Sequence, residues 1–501
     1  MKIQKVEIKD YKAFYGKYKI NVAGKNLFVY GENGSGKSSF YYALKDFFQS
    51  SNEQISYDET ENIFLTQRQK GKGYIQLTFN PDKGWNNHRQ NIFLKKELER
   101  HLFVAGDTSI RDAVKLKSFL TYKHLLDIHH INKDNEIDLF DLLVKGVLKH
   151  FKSVAITGNK ELGELWTNFE NAVAKSLEGR TYNITQKRAD VNAANTAFNN
   201  AFKKLFEAGS IENILTYAQP ILDKFGHNIE LKLNYTQARP AVNYNSIERN
   251  HVRVKIKYLG KDIDKPHIFL NEARLSAIAI SIYLGMIKRH IQGIPCKIIF
   301  LDDIFIGLDI GNRLPLLEIL DSDFTAYQVF ITTYDKPWYE FVKSTYLNNN
   351  TAWKSYEFYA RRSRQGFEIP ILREDKLSSH VQNYIDTAEA YYNSGDNKAA
   401  GVYLRSAFEF ILKRYCFGKV PVLFQTDTSK MKTDTFWNAV KKYKTTHPAC
   451  GLTPATTTQI DHYTSLVLNP LSHHDVNKHE ISTEIQGAIN TIKTLKAELN
   501  I

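Results

Sequence analysis

Hydrophobic and polar residues alternate along the first 80 residues of the chain, in short runs that turns separate. Alternation with a period of two is typical of β-strands that bury one face, and a short unbroken apolar run is typical of a strand that buries both faces. Four segments show these patterns: residues 3–8, 18–22, 27–30 and 74–79. This part of the chain is therefore predicted to form sheet.

The spacing of apolar residues changes to that of helices between about residues 100 and 225, which include alanine-rich stretches such as residues 188–202. Strand patterns return in five segments: residues 229–235, 252–258, 297–301, 329–333 and 356–360. Because strands both precede and follow the helical stretch, we expect a helical insertion that splits one sheet domain.

A polar stretch at residues 370–379 is expected to link the sheet domain to a separate C-terminal domain. Beyond it, Leu404, Phe408, Ile411 and Tyr415 follow helical spacing. The predicted fold class is α/β, with a mixed sheet, a helical insertion and a C-terminal all-α domain. The expected bounds are residues 1–99 for the first lobe, 100–228 for the insertion, 229–370 for the second lobe and 371–501 for the helical domain.

Composition places the chain among globular proteins. It has 501 residues, of which 43% are apolar and 24% charged, and this length exceeds that of a single hydrophobic core. No run approaches the roughly 20 apolar residues that a membrane helix needs, so we expect no membrane partner and a cytoplasmic location. The three cysteines, Cys296, Cys416 and Cys450, lack CxxC spacing, which argues against a disulfide framework or a zinc ribbon.

The formal net charge of +13 favours acidic partners, of which nucleic acid is the commonest. The positive residues are spread over the chain, for example in residues 68–72, 95–100 and 361–364. A solvated basic surface and a dedicated nucleic-acid groove both fit this distribution.

Residues 31–38 read Gly-Glu-Asn-Gly-Ser-Gly-Lys-Ser and fit the pattern GxxxxGK[ST] of a phosphate-binding loop. A strand pattern precedes them and a helical pattern follows, as this motif requires. The glycines allow backbone N–H groups to surround phosphates, and the helix N-terminus adds a positive dipole. Lys37 is expected to reach the β- and γ-phosphates, and Ser38 to coordinate Mg²⁺. The residues predicted to bind ATP are Gly31, Glu32, Asn33, Gly34, Ser35, Gly36, Lys37, Ser38 and Ser39.

A second group of candidates follows the apolar residues 298–301, where Asp302 and Asp303 stand side by side. Taken alone, two aspartates after such a strand are also common in the cap of a surface loop. In a chain that carries a phosphate loop, acids at the end of a buried strand are typical of a metal-handling site. Asp302 is predicted to hold Mg²⁺, and Asp303 to act as the general base that activates water.

Residues 270–277 (LNEARLSA) lie shortly before this strand and open a helical stretch. They resemble the signature motif of ABC-type ATPases of the RecF/SMC class, with Ala273 in place of glycine and Asn271 in place of serine. In that class, the signature helix of one subunit covers the nucleotide of the other. The resemblance implies a P-loop NTPase of the ABC/SMC type, a homodimer or higher oligomer formed through the nucleotide interface, and nucleotide contacts from Asn271, Glu272 and Ala273. An ordinary helix start is the alternative that these residues leave open.

Other parts of that class have counterparts in the chain. Asp309 lies in a Gly-Leu-Asp run that resembles the D-loop, and Tyr334 occupies the position of the switch histidine that senses the γ-phosphate. Residues 119–122 resemble the strand end that carries the Q-loop, with Tyr122 in place of glutamine. Asp303 stands where many relatives carry glutamate. The resemblance therefore implies slow hydrolysis, or ATP that serves mainly as a conformational ligand.

Several segments narrow the resemblance to PtuA, the ATPase of the Septu antiphage system and of its retron-associated versions. They are residues 119–124, 138–143, 301–309, 312–313, 333–336 and 469–473. In that family the ATPase assembles with a small HNH nuclease, PtuB. The resemblance implies a regulatory ATPase of an antiviral complex, with ATP and Mg²⁺ as cofactors and a PtuB-like nuclease as partner. A nucleic acid, either DNA or structured RNA including retron DNA, is a further expected partner.

Two other functions also fit the sequence. A stand-alone DNA repair or recombination ATPase that clamps duplex DNA like RecF would carry the same nucleotide motifs. The C-terminal segment resembles HEPN-type ribonuclease domains, because His473 and His474 next to Asp475 can perform acid–base chemistry on a phosphodiester. However, no arginine stands at the required spacing before His473. Pro470 alternatively marks a helix break at which the histidines organise a junction or a partner surface.

Overall fold

The computed structural model describes residues 1–50, 60–80, 87–90, 109–123, 138–156, 160–178, 182–248, 250–290, 294–347, 350–375, 380–420, 423, 431–472 and 482–501. The chain divides into two units, Met1–Asp375 and Lys376–Ile501. Within the described ranges, strands occur only in the first unit.

Regular elements make up most of both units. The strands are β1 (Lys2–Tyr11), β2 (Phe14–Asn21), β3 (Asn26–Gly31), β4 (Tyr74–Asn80), β5 (Asn87–Gln90), β6 (Phe119–Thr121), β7 (Ile229–Tyr235), β8 (Val252–Tyr258), β9 (Lys261–Ile263), β10 (Ile298–Asp302), β11 (Gln328–Thr333), β12 (Trp353–Arg362) and β13 (Glu368–Asp375). The helices are α1 (Lys37–Gln49), α2 (Ser109–Val114), α3 (Leu162–Ala174), α4 (Ile184–Phe202), α5 (Leu215–Asp223), α6 (Pro266–Phe269), α7 (Glu272–His290), α8 (Ile310–Asp323), α9 (Lys336–Val342), α10 (His380–Asn393), α11 (Asn397–Lys419), α12 (Thr433–Thr446), α13 (Pro454–Tyr463), α14 (Asn469–Ser472) and α15 (Ser482–Glu498). Short 3₁₀ or π segments lie at Leu142–Val147, Lys203–Leu205, Ile304–Gly307, Lys343–Leu347, Pro448–Cys450 and Thr464–Leu468.

A six-stranded sheet with the order β13-β12-β3-β11-β10-β6 forms the centre of the first unit. Its strands run parallel except for β13, which pairs antiparallel with β12. Every residue of β10 and β11 is buried, as is typical of parallel sheets covered on both faces. Thr332 of β11 lies opposite Asp302 of β10 and Val29 of β3. This register brings the carboxyl ends of three strands to one edge of the sheet.

The first helix packs between this sheet and a second, antiparallel sheet with the order β2-β1-β4-β5. Phe40 of α1 contacts the rings of Phe300, Phe330 and Phe358, with centroid distances of 5.5, 6.3 and 5.8 Å. These three rings belong to β10, β11 and β12 of the six-stranded sheet. Aromatic packing thus fixes the first turn of α1 beside the strand ends.

The strands predicted in the N-terminal part are confirmed, but they divide between the two sheets. Residues 3–8, 18–21 and 74–79 lie in the antiparallel sheet, whereas residues 27–30 lie in β3. The difference follows from their patterns, because the unbroken apolar run of β3 suits a central strand that buries both faces.

The stretch predicted as a helical insertion contains helices α3, α4 and α5, but it also contains β6, which pairs with β10 at the edge of the six-stranded sheet. This strand lies in the segment that resembles the strand end of a Q-loop. The predicted strands at residues 229–235 and 252–258 are confirmed as β7 and β8. Together with β9 they form a separate antiparallel sheet.

Helix α7 is joined to the insertion in two ways. A Cβ atom on Gly285 would lie 2.7 Å from the Cβ of Ala218 on α5, so the two helices approach closely at their backbones. Arg289 forms an ion pair with the buried Glu212 (Nη2 to Oε1, 3.4 Å) and donates from Nε to the Glu212 carbonyl oxygen at 3.1 Å. Displacement of the insertion would therefore displace α7.

The described part of the second unit is helical, as predicted. Helix α11 begins after Asp396, whose side chain accepts a hydrogen bond from the Ala399 N–H. Four residues with predicted helical spacing, Leu404, Phe408, Ile411 and Tyr415, lie in α11 and are buried in one core. Residues 370–375 of the expected linker belong to β13, and residues 376–379 lie outside the described residues. No helix in the described ranges has the length and apolar content that a bilayer span requires.

Candidate functional site

Residues 31–38 join β3 to α1 and form a tight loop. Gly36 precedes the helix with a φ of 96°, a region that glycine adopts without strain. No side chain caps the N-terminus of α1, so its first N–H groups can serve an anion. A Cβ on Gly31 would lie 2.4 Å from the Oγ of Ser35, and that hydroxyl is buried without a hydrogen-bond partner. This loop therefore has the free donors that a phosphate group requires.

The side chain of Lys37 lies inside this loop. Its Nζ donates to the carbonyl oxygens of Gly31 (2.6 Å) and Glu32 (3.3 Å), and it is 3.9 Å from Oδ2 of Asp303. Burial lowers the pKa of Lys37, and the charges of Asp303 and Asp302 oppose that effect. The ammonium group of Lys37 is the group in this loop that can pair with a bound polyanion.

Asp302 lies at the end of β10, next to the first turn of α1. It accepts hydrogen bonds from Ser38 Oγ (3.3 Å, to Oδ2) and from Thr332 Oγ1 (2.5 Å, to Oδ1). Burial raises the pKa of Asp302, whereas these hydrogen bonds and the charge of Lys37 lower it. A hydroxyl and a carboxylate side by side are ligands that Mg²⁺ prefers, so Ser38 and Asp302 can hold this ion.

Asp303 follows in a left-handed backbone conformation, with a φ of 51°. Its N–H donates to the carbonyl oxygen of Thr332 (3.3 Å) and to Oγ1 of the same residue (3.2 Å). Oδ1 of Asp303 is buried and has no hydrogen-bond partner. Burial raises the pKa of Asp303 to about 6, Asp302 adds to this rise, and Lys37 and the Tyr334 N–H oppose it. A carboxylate of this kind can accept a proton from water near neutral pH.

The segment that resembles a signature motif lies at the start of α7. Asn271 caps the helix by accepting a hydrogen bond from the Arg274 N–H (3.0 Å). Asn271 and Glu272 are exposed and Ala273 is buried. Among the described residues, no hydrogen bond or ion pair joins Asn271 or Glu272 to the phosphate loop of the same chain. The exposed end of α7 is therefore available to another molecule.

The helix is linked to the aspartates through the turn Ile304–Gly307, which follows Asp303. A Cβ on Gly307 would lie 2.6 Å from Oγ of Ser276, so this turn packs directly against α7. Ser276 is fully buried. The position of the signature-like segment therefore depends on the turn after Asp303.

The remaining predicted residues lie around this centre. Asp309 caps α8 by accepting from the Asn312 N–H (3.0 Å), and Tyr334 is 46% exposed. Oγ of Ser39 accepts from the Ala13 N–H at 3.3 Å. Tyr122 directly follows Thr121, which pairs with Asp302, so Tyr122 also lies at the carboxyl edge of the sheet. His124, His473 and His474 lie outside the described residues.

Sequence reasoning missed two features of the site. Arg313 bonds both to the Leu308 carbonyl oxygen (Nε, 2.9 Å) and to Asp335 (Nη1 to Oδ2, 2.6 Å). The hairpin of β12 and β13 covers the phosphate loop, because Pro370 would lie 3.0 Å from a Cβ on Gly36. The Asn-Arg pair at residues 312–313 was a signal for the first feature, whereas no local pattern indicates the second.

The profile of one protein family, described as the RecF/RecN/SMC N terminal domain, matches residues 2–351. The match includes the phosphate loop, both aspartates and helix α7. The chain belongs to the RecF/RecN/SMC family. Its members are ATPases that use ATP with Mg²⁺, so this chain is an ATPase of the ABC/SMC type with the α/β fold predicted from its sequence. No curated protein matches the chain.

Three solved structures of SMC heads are similar to this chain. One is an SMC head bound to the C-winged helix domain of ScpA, with 14% identity, a TM-score of 0.39, and coverage of 76% of this chain and 100% of that chain. The SMC head domain from Thermotoga maritima has 12% identity, a TM-score of 0.35, and coverage of 75% and 100%. An SMC head with an extended coiled coil, bound to the C-terminal domain of ScpA derived from Pyrococcus furiosus, has 13% identity, a TM-score of 0.38, and coverage of 78% and 99%.

Proposed function

We propose that this ATPase is the regulatory subunit of an antiviral defence complex in which a partner, a small HNH nuclease of the PtuB type, cuts nucleic acid. The observation that carries the ATP-dependent part is the meeting of Lys37, Asp303 and the Ser38–Asp302 pair around one loop. The antiviral and regulatory part rests on the resemblance of residues 301–309 and 469–473 to PtuA.

In this proposal the phosphates of ATP lie against the start of α1. The Lys37 ammonium group neutralises the β- and γ-phosphates, and the uncapped N–H groups of the helix donate to their oxygens. Ser38 and Asp302 hold Mg²⁺, which neutralises phosphate charge when it is bound. The hairpin residue Pro370 packs against Gly36 at the end of this loop.

Asp303 is the proposed general base. Its carboxylate accepts a proton from the water that attacks the γ-phosphorus, and the bond from this phosphorus to the leaving oxygen of ADP breaks. A pKa of about 6 leaves Asp303 mostly ionised at neutral pH but still basic enough to take the proton. Aspartate is one methylene shorter than the glutamate of many relatives, so slow turnover is expected.

A second copy of the chain is the proposed partner at the nucleotide. The end of α7 at Asn271 is exposed. ATP bound to the phosphate loop of one subunit would contact this end of α7 in the other subunit and would thereby stabilise the dimer. Apolar side chains near the signature-like and D-loop-like segments are also exposed: Ile268 by 62%, Phe269 by 67%, Ile306 by 43% and Ile310 by 68%. Such side chains suit a protein interface.

Co-expression with genomic neighbours tests the regulatory proposal. We expect an HNH-containing neighbour to co-purify with the chain, and light scattering to show a larger assembly with ATP than without nucleotide. A Lys37→Ala chain, which should not bind ATP, serves as the control and should show no larger assembly with ATP. If no HNH protein is encoded nearby or none binds, the regulatory proposal is wrong, whereas the ATPase assignment stands.

A stand-alone DNA clamp is the second candidate, and one observation favours it. Arg361 and Arg362 at the end of β12 and Arg364 in the connection to β13 are exposed, in the hairpin that covers the phosphate loop. ATP-dependent duplex binding by the chain alone, weakened about tenfold or more between 50 and 200 mM salt, would support this function. Arg361→Gln, Arg362→Gln and Arg364→Gln together should then remove that binding.

A further inference from the structure

Lys336 is the first residue of α9 and lies two residues after Tyr334. Its Nζ donates to Oε1 of the buried Glu357 at 2.6 Å and lies 2.9 Å from Oε1 of Glu340. Burial lowers the pKa of Lys336, but the hydrogen bonds and charges of these two glutamates outweigh that effect and raise it. The ammonium group is therefore charged and fixed next to β12.

Three tyrosine rings lie next to the same ammonium group. The distances from Nζ to the ring centroids are 4.5 Å for Tyr30, 5.1 Å for Tyr339 and 5.9 Å for Tyr359. An ammonium group within about 6 Å of a ring centroid is attracted by the negative face of the ring. The hydroxyl of Tyr359 also donates to Oε2 of Glu357 at 2.8 Å, which fixes the glutamate. Groups from β3, α9 and β12 thus hold Lys336 together.

These contacts join the segment after β11 to the strand that leads into the phosphate loop. Tyr30 of β3 lies opposite Glu357 of β12 in the sheet register. Tyr30 also directly precedes Gly31, whose carbonyl oxygen accepts the hydrogen bond from Nζ of Lys37 at 2.6 Å. Lys336 therefore connects the start of α9 to the two strands beside the proposed nucleotide site.

Tyr334 lies in the segment that is held in this way. Its N–H faces the carboxylate of Asp303. The ion pair between Asp335 and Arg313 holds the segment toward α8, whereas Lys336 holds it toward β12. Because the two attachments lie on different sides of the segment, the loss of either one would let Tyr334 move relative to the proposed base.

We propose that Lys336 is a positioning residue for ATP hydrolysis, which keeps Tyr334 beside Asp303 by attaching the segment after β11 to β3 and β12. The proposal rests on the proposed role of Asp303 as the base. In this role Lys336 does not contact the nucleotide, so its removal lowers the rate of the chemical step more than the affinity for ATP. A lysine that only stabilised α9 would change the melting temperature and leave kcat of the folded chain unchanged.

Lys336→Met tests the proposal, because it keeps the length of the side chain but removes the ammonium group. In steady-state kinetics of the full chain we expect kcat to fall about tenfold, with KM for ATP within about threefold of wild type. Lys336→Arg retains the charge beside the tyrosine rings and should recover most of the rate. Glu357→Gln weakens the other end of the link and should lower kcat about threefold or more.

Lys354→Met is the matched control. Nζ of Lys354, on the same strand β12 as Glu357, lies 2.6 Å from Oε1 of Glu374. However, Lys354 lies opposite Leu27 at the start of β3, at the other end of the strand from the phosphate loop. This variant loses an ion pair of the same length and should keep the kcat of the wild type.

Four outcomes would overturn the proposal: an unchanged kcat in folded Lys336→Met, a Lys336→Arg chain as slow as Lys336→Met, a loss of rate in Lys354→Met as large as in Lys336→Met, or a rise in KM that accounts for the whole effect. Melting curves establish that each variant is folded. If Lys336→Met does not fold, an unchanged kcat in Glu357→Gln overturns the proposal instead. Asp303→Asn in the same assay tests the base itself, so a wrong base and a wrong positioning residue give different results.

Discussion

Arg313 and Asp335 form an ion pair, with 2.6 Å between Nη1 and Oδ2, that connects the segment after β10 to the segment after β11. Arg313 also holds the Leu308 carbonyl oxygen, and Asp335 caps α9 by accepting from the Trp338 N–H at 3.0 Å. Both segments border Asp303. The pair therefore positions the surroundings of the proposed base without touching it.

Replacement of Arg313 should slow hydrolysis more than it weakens ATP binding. In Arg313→Gln we expect kcat to fall about tenfold with KM nearly unchanged, because misplacement near a reacting group lowers the rate rather than the affinity. Arg313→Lys keeps the positive charge but lacks the planar guanidinium group that bonds to the Leu308 carbonyl oxygen and to Asp335 at the same time. This variant should give an intermediate rate. Steady-state kinetics with ATP measure both values. An unchanged kcat in Arg313→Gln would exclude this positioning role.

Lys37→Ala should weaken ATP binding by about a hundredfold or more, since it removes the buried cation opposite the phosphates. Lys45→Ala is the matched control, because Lys45 lies on the same helix but is partly exposed and makes no contact with the loop among the described residues. Titration with a fluorescent ATP analogue gives both dissociation constants. Equal affinity of wild type and Lys37→Ala would contradict the site assignment.

The rate of hydrolysis should rise with pH as Asp303 loses its proton. Burial raises the pKa of Asp303 to about 6, and a general base is active only when ionised. We therefore expect kcat/KM to increase between pH 5 and 7 and to level off above. Asp303→Asn should lower kcat by about a hundredfold or more, retain ATP and trap the nucleotide-bound dimer. A rate that is flat from pH 5 to 7, or a fully active Asp303→Asn, would exclude Asp303 as the base.

Gly285→Ala should destabilise the first unit by about 1 to 3 kcal/mol, because the added methyl group would lie 2.8 Å from backbone atoms of Ala218, too close for side-chain adjustment. Gly418→Ala is the control. Gly418 lies in α11 with no atom within 4 Å of an added Cβ, so alanine should stabilise that helix by about 0.5 to 1 kcal/mol. Thermal unfolding measures both changes, and a neutral Gly285→Ala would mean that the contact between α5 and α7 yields easily.

The parts of the site that could be predicted are those with local patterns. The phosphate loop is continuous in sequence, and Asp302 and Asp303 follow one apolar strand. Spacing and hydrophobicity were therefore sufficient to predict both groups of site residues. Their approach to each other, seen as the 3.9 Å between Lys37 and Asp303, was expected only because parallel strands end at a common edge.

The parts that could not be predicted depend on distant pairing. The hydrogen bond from Thr332 to Asp302 requires that β11 lie beside β10 in one register, and nothing in either segment fixes that register alone. The packing of Pro370 on Gly36 requires a hairpin whose second strand, β13, overlaps the stretch that reads as a polar linker.

The contact between Gly307 and Ser276 has a consequence for cooperativity. The short turn after Asp303 begins beside the proposed site of the chain's own nucleotide and packs against α7 at its other end. In a symmetric dimer, α7 would serve the nucleotide of the neighbouring copy. A change in one turn would then affect both ATP molecules of the dimer. A mixed dimer with one defective turn should therefore lose activity at both sites rather than at one.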